Sequence, residues 1–154
     1  MTDAATQNPA DRERVLSALM RVFVNRYHSL AHYILGAGPF VAAGEETLLR
    51  RIEEIAAWDA AEAERLSDAI EGQEGIPQVQ PFAPEVAELN YLALRHQAGV
   101  LVQALEAERE TCLGLLRQTR SCLPAHRALR RVCDALTRHA AALRSDLASA
   151  TKTA

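Results

Sequence analysis

Apolar residues recur along this chain at the three- and four-residue spacing of helices, in four long segments separated by two Gly- and Pro-containing stretches and one short turn. The four segments span residues 9–35, 44–71, 84–118 and 124–148. Pro9, Pro84 and Pro124 stand at the beginning of three of them, where the fixed φ of proline suits the first helical turn. The pattern predicts an all-α protein.

The connections between the predicted helices differ in length, and this indicates how the helices pair. The first and second helices are joined by a short turn, and so are the third and fourth, so each pair is predicted to be antiparallel. Residues 72–83 contain Gly75, Pro77 and Pro81 and form a longer linker, which can cross over along a bundle. We therefore predict a four-helix bundle in a single domain over residues 1–154.

Each predicted helix has an apolar seam, and a polar residue interrupts every seam near its middle. The interrupting residues are Arg26 or Tyr27, Asp59 with Glu62, Glu108, and His139. If the helices align, these side chains meet at one height in the core. Buried carboxylates without a partner are costly, so the pattern implies a cation, a proton or an arginine among them. Three alternatives follow: a metal ion bound by the three carboxylates and the histidine, protonation of His139, or neutralisation by Arg26.

The second predicted helix carries the strongest family resemblance. Its sequence Ile55-Ala-Ala-Trp-Asp59-Ala-Ala-Glu62-Ala-Glu-Arg-Leu66, followed by the Gly- and Pro-containing linker, resembles the ferritin-like superfamily of bacterioferritin and rubrerythrin. The resemblance covers roughly residues 14–147 and implies a ferritin-like four-helix bundle. Metal-binding members use one Glu from the first helix, Glu-x-x-His from the second, Glu from the third and Glu-x-x-His from the fourth.

Four of the six positions that this resemblance implies as ligands hold side chains able to bind a metal. They are Asp59 in place of Glu, Glu62 in place of His, Glu108, and His139. Leu136 replaces a bridging Glu, and Arg26 or Tyr27 replaces the first-helix Glu. The resemblance therefore implies a remnant or mononuclear site for one iron or zinc ion, without efficient ferroxidase activity. The alternative is a non-catalytic helical scaffold or interaction protein with a salt-bridged core.

Two further groups of residues have metal-binding or thiol chemistry. His28 and His32 stand four residues apart and would share a face of the first helix, a spacing that makes them a weaker second metal-site candidate. Cys112, Cys122 and Cys133 form no Cys-x-x-Cys motif, and their odd number predicts reduced thiols and a cytoplasmic protein. We interpret Cys112 and Cys133 as small apolar residues on or near the seams.

Charge and surface composition narrow the choice of partners. The net charge of −3 excludes a generally basic protein that coats nucleic acid, and the longest charge-free stretch, residues 27–44, is too interrupted to span a membrane. Residues 45–74 carry ten acids and three arginines, whereas residues 117–146 carry seven arginines and two acids. These segments are predicted to attract each other within the bundle or across a dimer. Off-seam apolar residues favour a homodimer; examples are Val22, Val41, Val100 and Val102.

Overall fold

The computed structural model describes residues 8–79, 81 and 84–152, and all the regular secondary structure in this part of the chain is helical. Its α-helices are α1 (Pro9–Tyr27), α2 (Leu30–Gly36), α3 (Glu46–Glu71), α4 (Leu94–Leu115) and α5 (Leu123–Lys152). Two short 3-10 helices span Pro84–Leu89 and Leu116–Thr119. No strand forms among the described residues, where one isolated bridge joins Phe40 to Ala93. The all-α prediction is confirmed.

The first predicted helix, 9–35, is not continuous. α1 ends at Tyr27, and His28 leaves helical geometry with φ −91° and ψ 57°. Ser29 then caps α2, because its Oγ accepts a hydrogen bond from the backbone N–H of His32 at 3.1 Å. The prediction of one helix over 9–35 was therefore wrong at this point, and the break brings the Ser29 hydroxyl into the core.

The third predicted helix, 84–118, is also shorter than expected, whereas the second and fourth agree with α3 and α5 to within a few residues. Only a 3-10 helix forms over Pro84–Leu89, and Tyr91 has a positive φ of 61° that interrupts the helix. The side-chain amide of Gln97 donates to the backbone carbonyl of Leu89 at 2.6 Å and holds this segment against α4. Regular α-helix begins only at Leu94.

The long helices pack in antiparallel pairs. Near the beginning of α1, Arg12 donates to the carbonyl of Gln73, just after α3, at 3.0 Å, and near the end of α1, Arg26 contacts Asp59 in the middle of α3. α1 and α3 therefore run in opposite directions. α4 and α5 are antiparallel as well, because the first turn of α4 contacts the end of α5 through a 2.9 Å hydrogen bond from Arg95 to the carbonyl of Ala150.

The contacts between the pairs give the direction of the remaining connection. α3 and α5 are antiparallel and are joined by Arg51 with Asp146 at 2.8 Å. α3 and α4 begin at the same end of the molecule, where Glu45 pairs with Arg95 at 3.2 Å. The chain after α3 therefore returns along the length of the helices before α4 begins. Four long helices pack against one another in this way, an arrangement compatible with a four-helix bundle.

The interior between the long helices is mainly aliphatic. The largest fully buried side chains come from all five α-helices: Leu19, Ile34, Leu48, Ile52, Ile55, Leu66, Ile70, Leu94, Leu101, Leu105, Leu129 and Leu136. Val22 and Val102, which were expected to lie on an association face, are buried in this core, and Val41 and Val100 pack against it. None of the described helices combines the length and apolar character needed to cross a membrane.

Candidate functional site

Arg26 provides a buried positive charge in the middle of the core. It lies in the last turn of α1, is 2% exposed, and directs its guanidinium at two other helices. One terminal nitrogen donates to the carboxylate of Asp59 on α3, and the other contacts the carboxylate of Glu108 on α4. Asp59 is almost completely buried, whereas the Glu108 side chain is 24% exposed. We call these three residues the ion triad.

The helix break after α1 supplies the Asp59 carboxylate with a second donor. The hydroxyl of Ser29 donates to Asp59 Oδ2 at 2.6 Å. Burial nevertheless raises the pKa of Asp59, because desolvation of the carboxylate outweighs the charge of Arg26 and the hydrogen bonds from Ser29 and Arg26, which lower it. Two donors thus compensate only in part for removing this carboxylate from water.

Two aromatic rings extend the polar cluster from Arg26 toward α5. The guanidinium carbon of Arg26 lies 5.3 Å from the centroid of the Trp58 ring, a cation–π distance. The Trp58 ring also lies 4.9 Å from the His139 ring, centroid to centroid. Burial, followed by the positive charges of Arg138, Arg26 and Arg51, lowers the pKa of His139. His139 is therefore a neutral packing partner of Trp58 at pH 7.

Glu62 is buried but belongs to a different ion pair. Arg131 on α5 binds its carboxylate through two nitrogens, with Nη2 at 2.6 Å and Nε at 3.1 Å from Oε1. Arg65, one turn along α3, adds a third contact at 3.1 Å. Arg131 was not predicted as the partner of Glu62, although the excess of arginines in residues 117–146 was the relevant signal. The pair of Glu62 with Arg131 joins the acidic segment, residues 45–74, to the arginine-rich segment, residues 117–146, within the chain.

The four predicted metal ligands are thus divided among three environments. Asp59 and Glu108 come together through Arg26, Glu62 faces Arg131, and His139 packs on Trp58. No group of three or more His, Cys, Asp or Glu side chains in the described ranges is placed to hold a metal ion. The Arg26 guanidinium contacts both Asp59 and Glu108 and takes the position that a cation shared by these two carboxylates would occupy.

The second candidate pair, His28 and His32, does not share a helix face. His28 follows the last residue of α1 and lies outside regular helix. Its ring packs edge-on against the Tyr27 ring, with the two centroids 5.3 Å apart. His32 lies in α2, on the other side of the Ser29 cap, and is exposed. The i, i+4 relationship required a continuous helix, so the break at Ser29 removes the geometric basis for this site.

A cavity of about 370 Å³ opens beside the ion triad, between α1, α2 and α3. Phe23 and Tyr27 line one side, and small residues of α3, including Ala60 and Ala63, line the other. Arg26 also lines this cavity, but its charge is already shared between Asp59 and Glu108.

Because Arg26 of α1 contacts Asp59 of α3 and Glu108 of α4, the ion triad joins these three helices to one another.

No family model, no curated protein and no solved structure matches this chain.

Proposed function

We propose that this protein is a non-catalytic helical scaffold that acts by protein–protein association and has an arginine-neutralised core. The observation that carries the proposal is the position of Arg26 between Asp59 and Glu108. The seam pattern implied a cation, a proton or an arginine among the core carboxylates, and the Arg26 guanidinium lies between two of them. The other polar core residues are engaged in the same structural way, with Glu62 paired to Arg131 and His139 packed on Trp58.

A ferritin-like origin is compatible with this function. The antiparallel packing of α1 with α3 and of α4 with α5 supports the ferritin-like bundle that the sequence resembles. The convergence of Asp59 and Glu108 supports the second candidate function, a remnant or mononuclear site for one iron or zinc ion. In the proposal favoured here, Arg26 takes the place of such an ion, so the chain keeps the bundle without ferroxidase activity.

Metal analysis separates the two candidate functions. The full chain, purified without added metal and then incubated with Fe²⁺ or Zn²⁺ and desalted, is expected to retain much less than one ion per chain. A chelator should leave its urea midpoint unchanged, because no metal contributes to folding. Retention of one ion per chain that is lost in Glu108→Ala, but kept in Glu106→Ala on the same helix, would instead establish the mononuclear site.

Association is proposed to occur through an aromatic end of the molecule, as a homodimer. Phe40 and Tyr91 are 69% and 86% exposed, although aromatic residues are scarce in this chain. Their backbones lie close together, because the N–H of Phe40 donates to the carbonyl of Leu92 at 3.2 Å. Exposed aromatic side chains on one surface favour protein contacts. The proposal includes no nucleic-acid or membrane partner and retains the predicted cytoplasmic location.

Sedimentation velocity at several protein concentrations tests the dimer. The unmodified chain is expected to shift from monomer to dimer as the concentration rises, and the Phe40→Ser/Tyr91→Ser variant should remain a monomer. Ile76→Ser is the matched control, because Ile76 is similarly exposed but lies in the segment after α3. A monomer at all concentrations, or equal loss of dimer in the control, would contradict association through Phe40 and Tyr91.

A further inference from the structure

Two thiols face each other across the interface between α4 and α5. Cys112 and Cys133 have their Sγ atoms 2.7 Å apart, and the residues are only 1% and 3% exposed. A disulfide bond is about 2.05 Å long, so about 0.7 Å of approach separates these atoms from covalent bonding.

The surroundings of the pair connect it to the ion triad. Cys112 follows Glu108 by one helical turn on the same face of α4, and its Sγ also contacts the carbonyl of Leu129 at 3.4 Å. The positive charge of Arg26 acts on this thiol and opposes the effect of burial on its pKa. The thiol pair therefore lies next to the place where α1, α3 and α4 are joined.

The two thiols are unequal in acidity. When Cys133 is ionised, the S–H of Cys112 donates to its thiolate, which lowers the pKa of Cys133. The same interaction, together with burial, raises the pKa of Cys112. Cys133 is thus the more readily ionised sulfur, and Cys112 is positioned as its reaction partner.

We propose that Cys112 and Cys133 are a redox site, at which a small peroxide converts the two thiols into a reversible disulfide between α4 and α5. The inference does not depend on the proposed scaffold function. Both sulfurs are buried, so an oxidant that reaches them has to be small and uncharged. Hydrogen peroxide has both properties.

The reaction proceeds in two balanced steps. The Cys133 thiolate attacks one peroxide oxygen, the O–O bond breaks, and hydroxide leaves and takes up the proton that Cys133 released, forming water and a sulfenic acid. Cys112 sulfur then attacks Cys133 sulfur, the S–O bond breaks, and the hydroxyl group leaves with the Cys112 proton as a second water. Two thiols are oxidised by two electrons in total, and one peroxide is reduced to two waters.

The third cysteine provides an internal control. Cys122 lies just before α5, and Cys133 is 11 residues further along the chain, which corresponds to about 16 Å along a helix. Cys122 is therefore too distant to pair with Cys133 in the folded protein. The substitution Cys122→Ser should leave the reaction between Cys112 and Cys133 unchanged.

Thiol counting on the folded full chain tests the proposal. Reduced protein freed of reductant is exposed to one equivalent of hydrogen peroxide, then denatured in N-ethylmaleimide and weighed by intact mass spectrometry. The unmodified chain is expected to fall from three alkylated thiols to one, and Cys122→Ser from two to none. Peptide mapping should show the Cys112–Cys133 link, and dithiothreitol should restore all the thiols.

Three outcomes would overturn the proposal. They are three alkylated thiols after a peroxide exposure that oxidises the urea-unfolded chain, a disulfide that includes Cys122, and loss of thiols to sulfinic acid without a crosslink. Cys112→Ser and Cys133→Ser should each abolish the crosslink. If either variant fails to fold, the unmodified chain and Cys122→Ser still decide the result, because both carry the complete pair.

Discussion

Arg26 and Asp59 form an ion pair whose two side chains are almost completely excluded from water, one on α1 and the other on α3. Such a pair does not add stability merely by existing, because desolvation of both charges offsets their attraction. The effect of substitutions at this pair on stability is asymmetric. Removing one partner leaves an unpaired charge in the core, whereas replacing both by apolar side chains does not.

Arg26→Met tests this asymmetry first. The substitution leaves Asp59 buried with only Ser29 as a donor and should lower the free energy of unfolding by about 3–5 kcal/mol, measured by urea denaturation. Arg14→Met is the matched control, because Arg14 lies on the same helix and its pair with Asp11 is exposed to solvent. The control should change stability by less than about 1 kcal/mol.

The double variant Arg26→Met/Asp59→Leu completes the comparison. It removes both buried charges and leaves Glu108, which is partly exposed, free to turn toward solvent. Most of the stability lost in Arg26→Met should therefore return, as a favourable interaction between the two substitutions. Purely additive losses would show that the ion pair is not the reason for the effect of Arg26→Met.

The raised pKa of Asp59 gives the stability a defined pH dependence. Between the ordinary pKa of an aspartate and the raised value, the folded chain holds a proton that the unfolded chain has released. The Asp59 contribution to stability therefore falls as pH rises through this interval and is constant above it. Arg26→Met removes two effects that lower this pKa, so the interval widens and the variant should regain stability on acidification.

Urea denaturation from pH 4 to pH 8 measures this dependence as a difference between variants. The difference in stability between Arg26→Met and the unmodified chain should shrink as pH falls. Asp59→Asn cannot ionise at this position, and combining it with Arg26→Met should remove the pH dependence of that difference. A difference that stays constant with pH would contradict the assignment of the stranded charge to Asp59.

His139 gives the stability of the chain a pH dependence of the opposite sign. Its pKa lies below the usual 6.5, so between the lowered value and 6.5 the unfolded chain holds a proton that the folded chain lacks. The contribution of His139 to stability therefore rises with pH through this interval and is lost as pH falls below 6.5. His139→Phe keeps an aromatic ring against Trp58 without a titrating group and should flatten this part of the profile. If the pH profile of stability is the same in His139→Phe as in the unmodified chain, groups other than His139 cause the acid sensitivity.

The seam pattern predicted much of the polar core, but tertiary contacts determined its partners. Arg26, Asp59 and Glu108 were all identifiable as interruptions of apolar seams, and neutralisation by Arg26 was one of the three alternatives. The break at Ser29 was not predictable from Gly or Pro, because neither occurs there. The Ser29 hydroxyl both caps α2 and binds Asp59, and the second contact exists only once α3 is in place.

Glu62 shows that helical periodicity predicts the direction of a side chain only to within about one residue of rotation. An error of one residue in rotation moves a side chain from the centre of a helical core to its flank, where Arg131 of the neighbouring helix is within reach. The approach of Cys112 to Cys133 likewise depends on the register between α4 and α5. Helical periodicity assigns each residue to a face but does not determine this register, so the sequence predicted two buried thiols without predicting their contact.

The register of α4 against α5 leads to a prediction about stability. A Cys112–Cys133 disulfide would close a loop that includes the end of α4, the Leu116–Thr119 3-10 helix and the first turns of α5. Closing a loop of this size restricts the unfolded chain and is worth about 3 kcal/mol. The two sulfurs already lie 2.7 Å apart, so an approach of about 0.7 Å would bring them to bonding distance. Peroxide-treated protein should therefore unfold at a higher urea concentration than reduced protein, and Cys122→Ser should show the same increase. If the crosslinked protein instead unfolds at a lower urea concentration, the folded state must be strained by the bond, and the two helices do not have the register described.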